Sequence, residues 1–340
     1  MQFDLTDTIA QIQSKHRQRM FAMEQRKRAD LAMGSFLRVM HGWQRDGDED
    51  VNKAAKATVE ALMEAGEAEH AINKALEAHA NGDAGAARAA SKPFTPPDGY
   101  AEWGGIILAS IKARAPFDAI EAETTKAIEA LAQTLPVWEW AKDVKGLSAR
   151  FVGTIVAEAG DLSGYPKKGH LWKRMGLAVL DGRRQGGLPK SASAGDWIAH
   201  GYNRKRRSHM YVIGDVMVKV GEHYKDVFRQ RCAYEYAIAL AAGFEVVSST
   251  ETTIETWAKR GLAVRKVTKA KQNAATMVGA GHLHRRAQRY MEKILLRDLL
   301  REWKAAQLGQ IIAADKAICS MPNERPTNTA GGGEAPRAAA

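Results

Sequence analysis

The first 135 residues leave little choice of fold, because their apolar side chains return at helical spacing over stretches far too long for strands. From Thr8 to Gly42, Ile9, Ile12, Met20, Met23, Leu31, Phe36, Leu37 and Met40 recur loosely as on one helix face, separated by Lys and Arg clusters. One long amphipathic helix is predicted there. The acidic run Asp46, Asp48, Glu49 and Asp50 then suits the start of a second helix, Val51 to Ala80, where carboxylates meet free amides and the positive dipole end. A metal-binding carboxylate cluster is the sharper alternative for the same acids. Residues 81–100 (NGDAGAARAASKPFTPPDGY) are rich in Gly, Ala, Pro and Ser and read as a linker. Helical spacing resumes from Glu102 to Leu135, with a break expected at Pro116.

The predicted class is therefore mainly α: an N-terminal helical hairpin or coiled coil over 1–80, the linker, a helical domain over 101–320, and a disordered tail over 321–340. β-branched residues gather only at Phe244 to Ile254 and Leu262 to Thr268, enough for one short β-hairpin. No stretch approaches the roughly 18 to 20 uncharged residues a membrane helix needs. The N-terminus lacks a basic start followed by an apolar block, so a cytoplasmic protein without membrane association is expected. Cys232 and Cys319 are too few for a disulfide scaffold or a Cys-rich zinc site, and no metal or cofactor is expected.

Charge divides the chain. Residues 142–304 hold 31 Lys and Arg against 15 Asp and Glu, whereas the remainder holds 19 against 24. A positive field confined to one half favours a polyanion through phosphate contact and counterion release, so DNA or RNA is the expected partner.

Within that half, Pro136 to Asp161 (PVWEWAKDVKGLSARFVGTIVAEAGD) has the organisation of a helix-hairpin-helix. Gly146 permits the sharp turn, and amides at the start of the second helix can donate to a phosphate. Lys145, Ser148 and Arg150 flank the turn, Leu147 should plug the angle between the helices, and Val152, Ile155 and Val156 should face inward. Trp138, Trp140, Trp172 and Trp197 lie among cations and suit either core packing or stacking on unpaired bases.

The block VKGLSARFVGTIVAEAGDLSGYPKKGHLWKRMGLA, Val144 to Ala178, resembles the C-terminal domain of transposases of the insertion-sequence 110/116/902 type. The order continues downstream. YNRKRRSHMYVIGDVMVK is similar to the family's Gly-Asn-x-x-Leu-Arg-Arg helix, HYKDVF to its Tyr-Tyr-x-x-Leu step, and GHLHRRAQRYMEKILLRDLLREW to its final basic helix. The resemblance covers Val137 to about Lys304. It implies a DNA-binding protein of a mobile element or phage, with Lys167, Lys168, Lys173, Arg174, Arg183, Arg184, Arg204, Lys205, Arg206, Arg207, Arg285 and Arg286 joining Lys145, Gly146, Ser148 and Arg150 at the nucleic acid.

Catalysis in that family is attributed to an N-terminal sheet domain with four magnesium-binding acids and to a serine after the Gly-Leu step. Here helices stand where the sheet domain would be, and Gln185, Gly186 and Gly187 fall at the serine's place. Ser191 and Ser193 are the remaining nucleophile candidates. Binding without autonomous catalysis is the leading expectation. The alternatives are a recombinase subunit that takes its acidic domain from another chain, and a helical scaffold that oligomerises through its N-terminal helices and binds acidic proteins. The run Arg204 to Arg207 is expected to be replaceable by alanine without loss of fold. His282 and His284, two apart on a helix, should face different sides.

Overall fold

The computed structural model describes residues 4–319 apart from Asp181, Gly187 and Lys190, without the side chains of Arg183 and of 310–319; the expected tail at 321–340 lies outside these residues. Helix α1 (Leu5–Met40) begins at Asp4, whose carboxylate accepts from the amides of Thr6 and Asp7. The acidic run caps α2 (Glu49–Ala80) in the same way, with Asp48 accepting from Asp50 and Val51. Residues 81–100 contain a short helix, α3 (Ala87–Ala90), and lead into α4 (Tyr100–Gln133).

The break expected at Pro116 is absent, and α4 is continuous through it. Proline removes one helical hydrogen bond. Its neighbours hold the helix across the gap: Arg114 pairs with Asp30 of α1 and Glu67 of α2, and Asp118 with Arg26 of α1. Two of the α1 arginines are thereby spent within the protein, since Arg19 and Arg26 both reach Glu121.

Two cores result. Leu37, Val59, Leu62, Ala65, Tyr100, Ile107 and Ile111 join the C-terminal end of α1, the middle of α2 and the N-terminal part of α4. Ile9, Ile12, Ala132 and Leu135 belong instead to the large core of the second half, so α1 and α4 run antiparallel between the two. The expected boundary at 81–100 does not separate the packing, because residues on both sides of it share the smaller core.

The large core is built by α5 (Trp138–Ala141), α6 (Ala149–Ala159), α7 (Lys168–Arg174), α9 (Arg204–Val220), α10 (Glu222–Ala241), α11 (Glu251–Ala258) and α12 (Ala280–Cys319), while α8 (Ala194–His200) contributes no core residue. Leu295, Leu299 and Trp303 of α12 are fully covered, each contributing about 1.5–3 kcal/mol by burial.

The strands are few, and the chain is mainly helical. Strand β1 (Val179–Leu180) pairs antiparallel with β2 (Arg183–Arg184). Strands β3 (Glu245–Ser248), β4 (Arg265–Lys266) and β5 (Met277–Gly279) form a parallel sheet in the order β4-β3-β5. The hairpin expected from Phe244–Ile254 and Leu262–Thr268 is therefore a parallel pair. Helix α11 between the two strands returns the chain to the same end, which a parallel pairing requires. No helix of the described residues is long and apolar enough to cross a membrane.

Helix α6 crosses α4 at Gly153, where an added Cβ would overlap the Ile128 methyl. Gly153→Ala is expected to cost about 1–3 kcal/mol in denaturant melts. Gly105→Ala, in open space on α4, should instead stabilise by about 0.5–1 kcal/mol. Equal effects at the two positions would contradict this packing.

Candidate nucleic-acid interface

The helix-hairpin-helix turn forms between α5 and α6. Gly146 adopts φ +90°, Leu147 is buried, and Ser148 caps α6 with its hydroxyl toward the Phe151 amide. Val152, Ile155 and Val156 are buried as expected. The φ of Ser148, −73°, is open to any residue, so Gly146 is the position of this turn that requires a glycine. The turn does not stand free, however. A Cβ on Gly146 would lie 3.1 Å from Met217 and Val220, and the Lys145 ammonium pairs with Glu222 at 2.6 Å. The turn thus docks on the α9–α10 junction.

The other expected cations scatter. Arg150 lies over the Phe151 ring, Lys168 over Trp172, and Arg174 donates to the Glu158 carbonyl. Lys167 and Lys173 stand at the two ends of α7. Trp172 donates to the Lys293 carbonyl, and with Trp138 and Trp140 it packs against the core; Trp197 lies apart on α8.

Helical periodicity divides Arg204 to Arg207. Asn203 caps α9, accepting from Lys205 and Arg206. Arg204, Arg207, Ser208 and Tyr211 then share one face, and Arg206 and His209 another. Arg206 Nε donates to Glu158 Oε2 at 3.1 Å with both side chains 17% exposed, and Arg207 lies 2.8 Å from the fully buried Glu292. The expectation that all four cations are dispensable for folding is corrected: two neutralise interior carboxylates. Lys205 reaches Glu24 on α1.

The first face of α9 meets a stripe of α12, Arg285, Gln288, Arg289 and Glu292, at positions i, i+3, i+4 and i+7. The loop after Gly176 and Leu177 closes the third side with Arg184, Gly186 and Tyr202. Between them opens a cleft of about 660 Å³. Five arginines line it: Arg184, Arg204, Arg207, Arg285 and Arg289. Among the described residues only Arg207 has a carboxylate partner.

The crowding has electrostatic consequences. Burial lowers the Arg289 pKa, and Arg207 and Arg184 lower it further by repulsion. Burial pushes the Glu292 carboxyl up to about 7, an effect that Arg207, Gln288 and Arg289 only partly offset. Gln288 fixes that carboxyl, donating to it and to the Tyr211 carbonyl, each at 3.0 Å. Four of the expected residues are brought together here, with Arg289, Tyr202, Tyr211 and Glu292 added. Arg286 is not among them, since it pairs with buried Glu235. The side chain of Arg183 lies outside the described residues.

Ser193 caps α8 in a capping box: its hydroxyl donates to Asp196 at 2.8 Å and accepts from the Asp196 amide. Ser191 sits exposed in the preceding turn. His284 stands edge-on to Phe228 while His282 is exposed. Among the described residues one group of side chains has metal-ligand chemistry, His16, Glu158 and His209, beside the second face of α9.

Arg206→Ala is expected to lower stability by about 1.5–3 kcal/mol through loss of a charged, mostly buried hydrogen bond. Arg204→Ala should leave it within about 0.5 kcal/mol. Glu292 yields a pH signature. Its folded pKa stands above the ordinary carboxylate value, so its contribution to stability is full at pH below that value and is lost as pH rises through about 7. An anion beside Arg207 and Arg289 raises this pKa again, so binding takes up a proton. Polyanion affinity should fall by up to about tenfold from pH 6 to pH 8 for each unit of added shift. Glu292→Gln should flatten that dependence in fluorescence titrations.

Compared with known protein families, with curated proteins and with solved structures, the chain matches none.

Proposed function

We propose that this chain is a nucleic-acid-binding protein, transposase-related in its second half, that grips a sugar-phosphate backbone in the arginine cleft between α9, α12 and the 178–203 loop. The observation that carries this reading is five arginines lining one cleft, of which Arg207 alone has a carboxylate partner among the described residues. Confining like charges costs free energy in the free protein, and a row of phosphates is the ligand that relieves it. Arginine suits the role because its planar fork bonds phosphate oxygens bidentately and keeps its charge when partly buried. Tyr202 and Tyr211 at the rim offer rings to sugars or unpaired bases.

DNA of a mobile element or phage is the proposed ligand, bound through its backbone with little sequence preference. In this reading strand cleavage is not the chain's own activity, because Ser193 is engaged as a helix cap and the cleft is lined by cations.

Fluorescence anisotropy with labelled duplex, branched DNA and structured RNA tests the proposal. Affinity is expected to fall linearly with the logarithm of salt concentration, with a slope of about −0.9 per phosphate contacted on duplex DNA. Arg204→Ala with Arg285→Ala should weaken all sequences alike and reduce the slope by about 2. A flat salt response would favour an acidic-protein scaffold, and an unchanged slope in the double variant would remove the cleft from the interface.

A further inference from the structure

We propose that His16, Glu158 and His209 form a binding site for a divalent transition-metal ion of the zinc class, joining α1, α6 and α9. The inference is independent of the nucleic-acid reading. The three ligand atoms come from three helices and all lie within 4.8 Å of one another. His16 Nε2 and His209 Nε2 stand 3.2 and 3.6 Å from the same atom, Glu158 Oε1. Donors about 2.0–2.1 Å from a tetrahedral ion are separated by about 3.3–3.4 Å, so shifts of a few tenths of an ångström admit the ion at both edges.

One ligand atom carries unmet bonding capacity: His209 Nε2 is buried without a hydrogen-bond partner, beside a His16 that is only 4% exposed. An ion against Oε1 would give His209 Nε2 the partner it lacks and replace the His16–Glu158 hydrogen bond by two stronger contacts.

Burial lowers the His209 pKa, with His16 and the charges of Arg19 and Lys205 acting the same way against Glu158. Burial works to raise Glu158, but His16, Arg206 and His209 outweigh it and hold the carboxyl down to about 2. Arg206 binds the other oxygen, Oε2, as an outer partner that orients the carboxylate and leaves Oε1 to the ion.

The ligand set decides the class of ion. Two imidazoles and one carboxylate suit zinc, cobalt or nickel, whereas magnesium and calcium require more oxygen ligands. The nearby cations Arg206 and Arg19 also penalise an ion held by charge alone. A fourth ligand can enter from solvent, because His209 lines a groove shared with Met20, Met23 and Val212.

The test uses the full chain, stripped with chelator and titrated with zinc by calorimetry and with cobalt by visible absorption. One equivalent is expected to bind, raising Tm by about 3 °C or more at a hundredfold excess over Kd, with no such rise from magnesium. His16→Gln, His209→Gln and Glu158→Gln should each weaken binding at least about tenfold, while His282→Gln with His284→Gln should retain the equivalent. The cobalt complex should show intense ligand-field bands of a four- or five-coordinate site without a thiolate charge-transfer band. This signature decides the matter on the unaltered chain if the variants fail to fold. Absence of a saturable equivalent, its survival in His16→Gln with His209→Gln, a weak six-coordinate spectrum or a thiolate band would each overturn the proposal.

Discussion

The structure turns on the carboxylate of Glu158. It is the acceptor at which α1, α6 and α9 meet, through His16, its own helix and Arg206 with His209. Take that charge away and a mostly buried guanidinium is left without its counter-charge and His16 without its hydrogen-bond partner. The N-terminal helix thereby belongs to the second half of the protein, even though most of its length packs on α4. The same contact orients the first turn of α9, and with it the side chains of the arginine cleft.

Glu158 and Glu292 show how little a residue type determines its charge. Both are covered, and both touch an arginine of the same helix turn. Glu158 accepts hydrogen bonds to its ionised form from His16 and Arg206, which overcome burial. Glu292 is sealed more completely, and its contact with Arg207 is close without being aligned as a hydrogen bond. One carboxyl is therefore fixed as an anion, and the other is poised near neutrality, directly beneath crowded cations.

Much of the fold was legible in the sequence, because helices write themselves locally. Asp48 and Asn203 mark helix starts by chemistry confined to three residues, and Gly146 with Leu147 specifies a turn in the same way. What escaped was non-local. Pro116 suggested a break because the partners that bridge it, Asp30, Glu67 and Arg26, lie far off in sequence. The strands were visible, but their parallel pairing depends on α11 between them. The basic run at Arg204 to Arg207 read as dispensable for folding, although Arg206 and Arg207 turn to different sides and meet acids that no spacing could connect to them. His16 and Glu158 are 142 residues apart, so no motif announces their contact.

The two cores joined by α1 and α4 also have a mechanical meaning. Ile12 sits in one core and Leu37 in the other, 25 residues along a single helix, or roughly 37 Å at the helical rise of 1.5 Å per residue. At that radius a rotation of about 5° about the Glu158 end carries the far core through roughly 3 Å, close to the width of a side chain. The paired helices thus tie one core to the other, and the Glu158 contacts that anchor α1 at its first end also set where Leu37 is held at its second.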